Sequence, residues 1–240
     1  MKRIILKLSG EALAYPDSKG IDFQKVNKIA LEIKKLYDLG NIQLGIIVGG
    51  GNIWRGKDAE ALGIDRSSAD YMGMLATILN ALAIQAALEK LGLDTRAMTS
   101  LEIPAVAEPY IRRKAISRLE KNRVVIFGGG TGLPFFSTDS TASLRGAELG
   151  ADIILMAKNG VDGVYDKDPN KYPDAKRYDK LTYDEMIEKN LCVMDLTAAT
   201  LCKENNIKII VFDMNKEDNI KNVVSNPKIG TVINNRKDKK

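Results

Sequence analysis

Three short segments bring glycine together with residues that handle anions: Lys7-Leu8-Ser9-Gly10, Gly49-Gly50-Gly51-Asn52 and Gly128–Gly132. Each closes an apolar run, at residues 3–8, Ile42–Val48 and Arg123–Phe127. Glycine lets backbone N–H groups approach phosphate oxygens, and a helix starting just beyond adds the positive end of its dipole. One such loop is an ordinary turn, but three at strand ends point to an anion site along one edge of a sheet. Lys7 lies inside an apolar strand, where an unpaired ammonium is costly, so it calls for an anionic partner unless the strand is an edge from which it snorkels. Arg55 follows the second loop and can fork onto a phosphate. Asp70 and Asp139 stand where helical runs begin, a position at which Asp is also a routine N-cap. Histidine is absent, which removes Ser-His-Asp and Cys-His nucleophiles, His-ligated zinc and a histidine proton shuttle. Carboxylates, Lys, Arg, backbone dipoles and a bound metal remain.

Two familiar phosphate-binding patterns do not fit. A Walker A loop fails because Gly56-Lys57 continues to Asp58. A dinucleotide G-x-G-x-x-G fails because Leu133 or Trp54 occupies the third glycine position.

The elements that must position these residues alternate. Strands are predicted at 3–8, Ile42–Val48, Thr95–Thr99, Arg123–Phe127, Asp152–Ala157, Lys208–Phe212 and Thr231–Ile233. Helices are predicted from Phe23 to Tyr37 behind an Asp22 cap, and at Met72–Leu91, Ile111–Lys121, Ser140–Leu149, Tyr183–Lys189, Leu196–Asn205 and Asp218–Ser225. Gly160–Lys180, rich in Asp, Lys, Tyr and Pro, reads as a loop or hairpin excursion. Met72–Leu91 is apolar nearly all round, so it is buried on more than one side, within the domain or against another subunit. Such alternation argues an α/β fold with a largely parallel sheet and helices on both faces.

The chain has 240 residues, 45% hydrophobic and 28% charged, which suits one large α/β domain and excludes disordered or collagen-like classes. Cys192 and Cys202 are too few for a disulfide framework and fit a reducing cytosol. Of the net charge of +5, the last five residues contribute +3, so binding of nucleic acid is not expected and small anions are the natural partners. Lys7 and Glu11 interrupt the apolar start, so no secretory leader is predicted, and no apolar run long enough to suggest a membrane span is read. A cytoplasmic protein is the expectation.

Lys7–Gly10, GGGNIWRG at Gly49–Gly56, DYMGMLAT at Asp70–Thr77, GTGLPFFSTDS at Gly130–Ser140, NGVDGVYDKDP at Asn159–Pro169 and VMDLTA at Val193–Ala198 occur in order along the chain. Together they resemble the bacterial uridylate kinase branch of the amino acid kinase family. The resemblance implies a three-layer sandwich in one domain over 1–240, with an acceptor-binding part to about residue 150 and an ATP-binding part beyond it. It implies transfer of the γ-phosphoryl group of Mg-ATP to UMP, giving UDP and ADP in pyrimidine nucleotide biosynthesis. By motif position Lys7, Leu8, Ser9, Gly10, Gly51 and Arg55 fall to the ATP phosphates, and Asn159, Tyr165 and Asp168 to the adenosine side. Gly50, Asp70, Thr131, Gly132, Leu133, Pro134, Phe135, Phe136, Ser137 and Thr138 fall to UMP. Lys7, Arg55, Asp139 and Asp195 are the implied catalytic set, with Lys158 as a second phosphate lysine. Asp139 and Asp195 would orient lysines and metal waters, and Mg²⁺ would arrive with ATP without direct side-chain ligands. Many members are homohexamers, trimers of dimers, activated by GTP and inhibited by UTP. The charged, Pro-containing stretch from Tyr15 to Lys19 departs from the glycine-richer loop linked to GTP activation, and the Lys-rich tail reads as a solvated end.

The missing histidine suits this chemistry. A nucleotide monophosphate has a second pKa of about 6 and is largely dianionic at neutral pH, so no general base is required. The task is to hold two anions in line, which Lys, Arg, backbone N–H and Mg²⁺ accomplish. Kinases of the same fold acting on a carboxylate or carbamate are the nearest alternative, disfavoured by Asp70 and Thr131–Thr138. A non-catalytic nucleotide-responsive regulator would be expected to lack Lys7, Arg55 or Asp139, and all three are present.

Overall fold

The computed structural model describes residues 1–15, 19–191 and 193–235. Most of the Tyr15–Lys19 stretch, Cys192 and the tail from Arg236 lie outside them. The strands are β1 (Lys2–Leu8), β2 (Ile42–Val48), β3 (Thr95–Thr99), β4 (Glu108–Pro109), β5 (Val124–Gly128), β6 (Ile153–Lys158), β7 (Val164–Tyr165), β8 (Arg177–Tyr178), β9 (Lys180–Thr182), β10 (Lys208–Asp213) and β11 (Thr231–Asn234). The helices are α1 (Phe23–Tyr37), α2 (Gly56–Ala61), α3 (Arg66–Lys90), α4 (Arg112–Glu120), α5 (Thr138–Leu149), α6 (Tyr183–Glu188), α7 (Leu196–Glu204) and α8 (Asn219–Ser225).

Nine strands form one sheet in the order β4-β3-β5-β2-β1-β6-β10-β11-β9. Every pairing in it is parallel except β10 with β11. Alternate residues of a strand face opposite layers, and β1 shows this directly. Ile4, Leu6 and Leu8 join the core beneath α1, α3 and α8, while Ile5 joins the core beneath α4, α5, α6 and α7. The result is the expected three-layer α/β sandwich. β1 is central, paired with β2 and β6, so Lys7 has no edge from which to snorkel.

Helix starts follow side-chain caps. Asp22 accepts from the N–H groups of Gln24 and Lys25 at α1, and Ser137 from Ser140 N–H at α5. Helix α3 corrects the sequence reading. It starts at Arg66, capped by Asp65, rather than at Met72, because its first turns are polar and carry no apolar period. Asp70 therefore lies inside α3 and caps nothing. The predicted excursion contains the β7–β8 hairpin, and β9, β4 and α2 are additions too short for periodicity to reveal. By length and composition alone α3 is long and apolar enough to cross a membrane, a test that the core helix of a globular domain also passes. In the fold it packs on β5 and α1, with Ala81, Ile84 and Leu88 in the core.

Candidate active site

The charged centre follows from strand register. Lys7 pairs with Met156 of β6. Lys158, two residues further along, faces the same layer, so both lysines emerge on the side where α5 begins. There Lys7 Nζ lies 2.8 Å from Asp139 Oδ1, with the side chains only 10% and 18% exposed. Asp139 is in the first turn of α5, whose cap is Ser137, so its carboxylate is free of capping duty and serves the lysine. Lys158 Nζ donates to Val193 O at 3.0 Å. Burial holds its ammonium below the ordinary lysine value, reinforced by repulsion from Lys7 and opposed by attraction to Asp139. Lys7 is thus ion-paired with Asp139, and Lys158 stands near enough to feel both charges.

Asp195 approaches the same helix start from α7. It caps α7 through Ala198 N–H at 2.9 Å and accepts from the hydroxyls of Ser137 and Ser140. Burial works to raise its pKa, but hydrogen bonds from Ser137, Ala198 and Ser140 outweigh this and hold the carboxyl below its ordinary value.

Beside this centre opens a cavity of about 1030 Å³ whose lining includes Gly50, Asp70, Leu133, Phe135, Phe136, Ser137, Thr138 and Asp195. The glycine of the second loop lies close to α3: a Cβ on Gly50 would stand 2.7 Å from Gly73 O. Thr77 Oγ1 accepts from Gly129 N–H at 2.8 Å, tying the third loop to the same helix. Asp70 accepts the Phe135 N–H at 2.7 Å and both of its oxygens lie 3.0 Å from Arg66 Nε. Phe135 has φ of +71°, an uncommon conformation for a non-glycine residue, which that bond helps to hold. Thr131, Gly132 and Pro134 belong to the same loop but do not line the cavity, and the Thr131 hydroxyl turns back onto Leu133.

The residues expected on the ATP side are less closely gathered. Gly10 packs on Gly49, where a Cβ would stand 2.6 Å from Gly49 O. Gly51 borders the cavity. The Leu8 side chain is core, so only its backbone is placed for ligand contact. Ser9 precedes the single 3₁₀ turn of Gly10–Leu13, and its hydroxyl makes no capping bond there. Arg55, more than half exposed, pairs with Glu11 at 2.9 Å. Asn159 accepts from Asn215 at 2.7 Å and borders a second cavity, of about 610 Å³, with Glu11, Lys25, Lys28 and Met214. The Tyr165 hydroxyl donates to Asp162 at 2.6 Å, and that bond, then burial, raises its pKa. Asp168 accepts from Asn170 N–H in the turn beyond β7 and borders neither cavity.

Several residues of the site were not singled out from sequence. Trp54 lines the larger cavity and donates Nε1–H to Ala69 O at 2.9 Å. Arg66 lines it as well. Asn52 and Asn80 form a reciprocal buried amide pair, and Asn80 also donates to Gly49 O at 2.7 Å, bracing the second loop. The signal for Asn80 was present, as a polar break in an otherwise apolar helix. Among the described residues no three metal-ligating side chains cluster.

A model of the amino acid kinase family matches residues 2–213. A protein named uridylate kinase from Pediococcus pentosaceus is 56% identical over 232 residues, covering 97% of this chain and 96% of its own length. One of the same name from Limosilactobacillus reuteri is 57% identical over 232 residues, with 97% and 96% covered. Among solved structures, UMP kinase from Bacillus anthracis superimposes with a TM-score of 0.95 at 41% identity, over 98% of this chain and 97% of its own. UMP kinase from Ureaplasma parvum gives 0.93 at 42% identity, over 97% and 98%.

Proposed function

The chain belongs to the amino acid kinase family, and on that premise we propose that it transfers the γ-phosphoryl group of ATP to UMP, yielding UDP and ADP. The observation that carries this reading is the buried Lys7–Asp139 pair opening beside a cavity lined by Asp70 and the Leu133–Thr138 loop. UMP occupies that cavity, and ATP lies along the strand ends toward Asn159. The acceptor part is then residues 1 to about 150 and the donor part the remainder.

The UMP phosphate attacks as a dianion, so no side chain has to remove a proton. Lys7 sits between donor and acceptor phosphates and offsets the charge on the moving group. Asp139 keeps the Lys7 ammonium aimed. Lys158 supplies a second positive charge, Arg55 exchanges Glu11 for a phosphate, and backbone N–H groups of Gly10, Gly50 and Gly51 cradle oxygens. Mg²⁺ arriving with ATP would supply further neutralisation of the phosphate charge. The donor set suits that: magnesium is commonly held by one or two carboxylates and the substrate's own phosphates, and Asp139, paired with Lys7, and Asp195, bonded to Ser137 and Ser140, would orient its waters.

The same reading extends to assembly and control. Tyr71, Met72, Leu75 and Leu79 form one exposed apolar face of α3, which a second copy would cover in a dimer within a hexamer. GTP activation and UTP inhibition are proposed with it, UTP by competing for the acceptor cavity. Cytoplasmic action fits the free, buried Cys202. The deciding experiment is ADP release from Mg-ATP with UMP, CMP, dUMP, GMP, acetylglutamate or aspartate offered separately. Turnover with UMP is expected, and turnover with an amino acid alone overturns the acceptor assignment.

A further inference from the structure

Arg145 is a buried cation that the phosphoryl-transfer reading leaves unused. It is 3% exposed, with its guanidinium carbon 3.7 Å from the Tyr110 ring centroid. One terminal nitrogen meets Glu148 at 2.5 Å, the other donates to Ser100 Oγ at 2.8 Å, and Nε has no acceptor. Ser100 Oγ in turn donates to Gly130 O at 2.8 Å. An arginine carries only donors, so its bond to Ser100 settles where the hydroxyl proton goes. The Ser100 oxygen accepts from Arg145, and its own hydrogen is directed at the Gly130 carbonyl, in a chain whose bonds polarise one another.

Gly130 begins the loop that lines the acceptor cavity. That loop has little regular structure: Gly129, Gly130, Gly132 and Phe135 all have positive φ. It is pinned to its surroundings by Thr77 at Gly129, Ser100 at Gly130, Asp70 at Phe135 and Asp195 at Ser137. Ser100 is also held to the end of β5 just before the loop, since its N–H donates to Gly128 O at 3.1 Å. Gly132 closes over it, where a Cβ would stand 3.2 Å from Ser100 Cβ and O. We propose that Ser100, oriented by Arg145, is a positioning residue for the acceptor nucleotide, fixing the Gly130–Ser137 loop in the form that receives it. This rests on the assignment of that cavity to UMP.

The test is steady-state kinetics of the full-length protein with UMP and Mg-ATP varied in turn. Ser100→Ala is expected to raise KM for UMP about five- to tenfold, the effect of one lost hydrogen bond, while KM for Mg-ATP stays within about twofold. Arg145→Lys keeps the charge but loses the fork and should do the same. The double variant should bind UMP no worse than Arg145→Lys alone, because both act through one bond to Gly130. Unchanged KM for UMP in Ser100→Ala, or an equal rise for both substrates, overturns the proposal; should Arg145→Lys not fold, Ser100→Ala decides alone. Wild-type protein inactive on UMP but active on another acceptor would overturn the UMP assignment instead, and the positioning role is then decided by the KM of Ser100→Ala for that acceptor.

Discussion

Lys7 and Asp195 show how one side chain is given its task by its surroundings. Lys7 is the one ionisable residue in the otherwise apolar run from Ile4 to Leu8, and the fold supplies Asp139 as its partner. Lys7→Met should keep the fold but lower kcat by about 10²- to 10³-fold, the usual cost of removing a charge-stabilising donor, as measured by ADP release at saturating substrates. Asp195 makes a prediction about pH. Its native pKa lies below the ordinary 3.8 because its serine and backbone hydrogen bonds outweigh burial. The stability it contributes is therefore fully present above that ordinary value and is lost as pH falls through the lower native one. Asp195→Asn should flatten this part of the acid-unfolding curve, seen as a smaller fall in Tm between neutral and strongly acidic buffer.

At the level of elements, the loops are shaped by what they touch. Gly10 and Gly49 lie against each other's backbone, Gly50 lies against α3, and the Asn52–Asn80 pair braces the second loop. Asn80→Ala should destabilise by about 1–3 kcal/mol, since it leaves the Asn52 amide and Gly49 O buried without their partner, and denaturant melts would measure it. The glycine loops, the central strands and α1 were legible because apolar spacing and caps are local properties. The start of α3 was not, since its first turns are polar and anchored by Asp65 rather than by an apolar stripe. Nor was the Asp195 bridge to Ser137 and Ser140, or the Ser100–Arg145–Gly130 chain, because those contacts span tens of residues and no spacing encodes them. The donor side stayed the least resolved of all. Asn159 and Asp168 belong to one motif yet lie in different surroundings, and sequence order carries no such information.

For the whole molecule, the stripe of Tyr71, Met72, Leu75 and Leu79 is a departure from a self-contained fold, each side chain being 39–53% exposed. If α3 seats a second copy as proposed, Leu75→Glu with Leu79→Glu should dissociate it, read as a fall in sedimentation coefficient, because two charges cannot be buried unpaired between subunits. Unchanged sedimentation would return α3 to a purely internal role. The opposite side of that helix start meets the larger cavity, and there the chain carries its only tryptophan, Trp54, half-buried and hydrogen-bonded to Ala69 O. The protein consequently holds a native fluorophore inside the chamber where its acceptor is proposed to bind. Emission should shift to shorter wavelength as a nucleotide and the adjoining loop displace water from the indole, so that occupancy of this chamber can be followed in unlabelled protein, without catalysis and before any phosphoryl group moves.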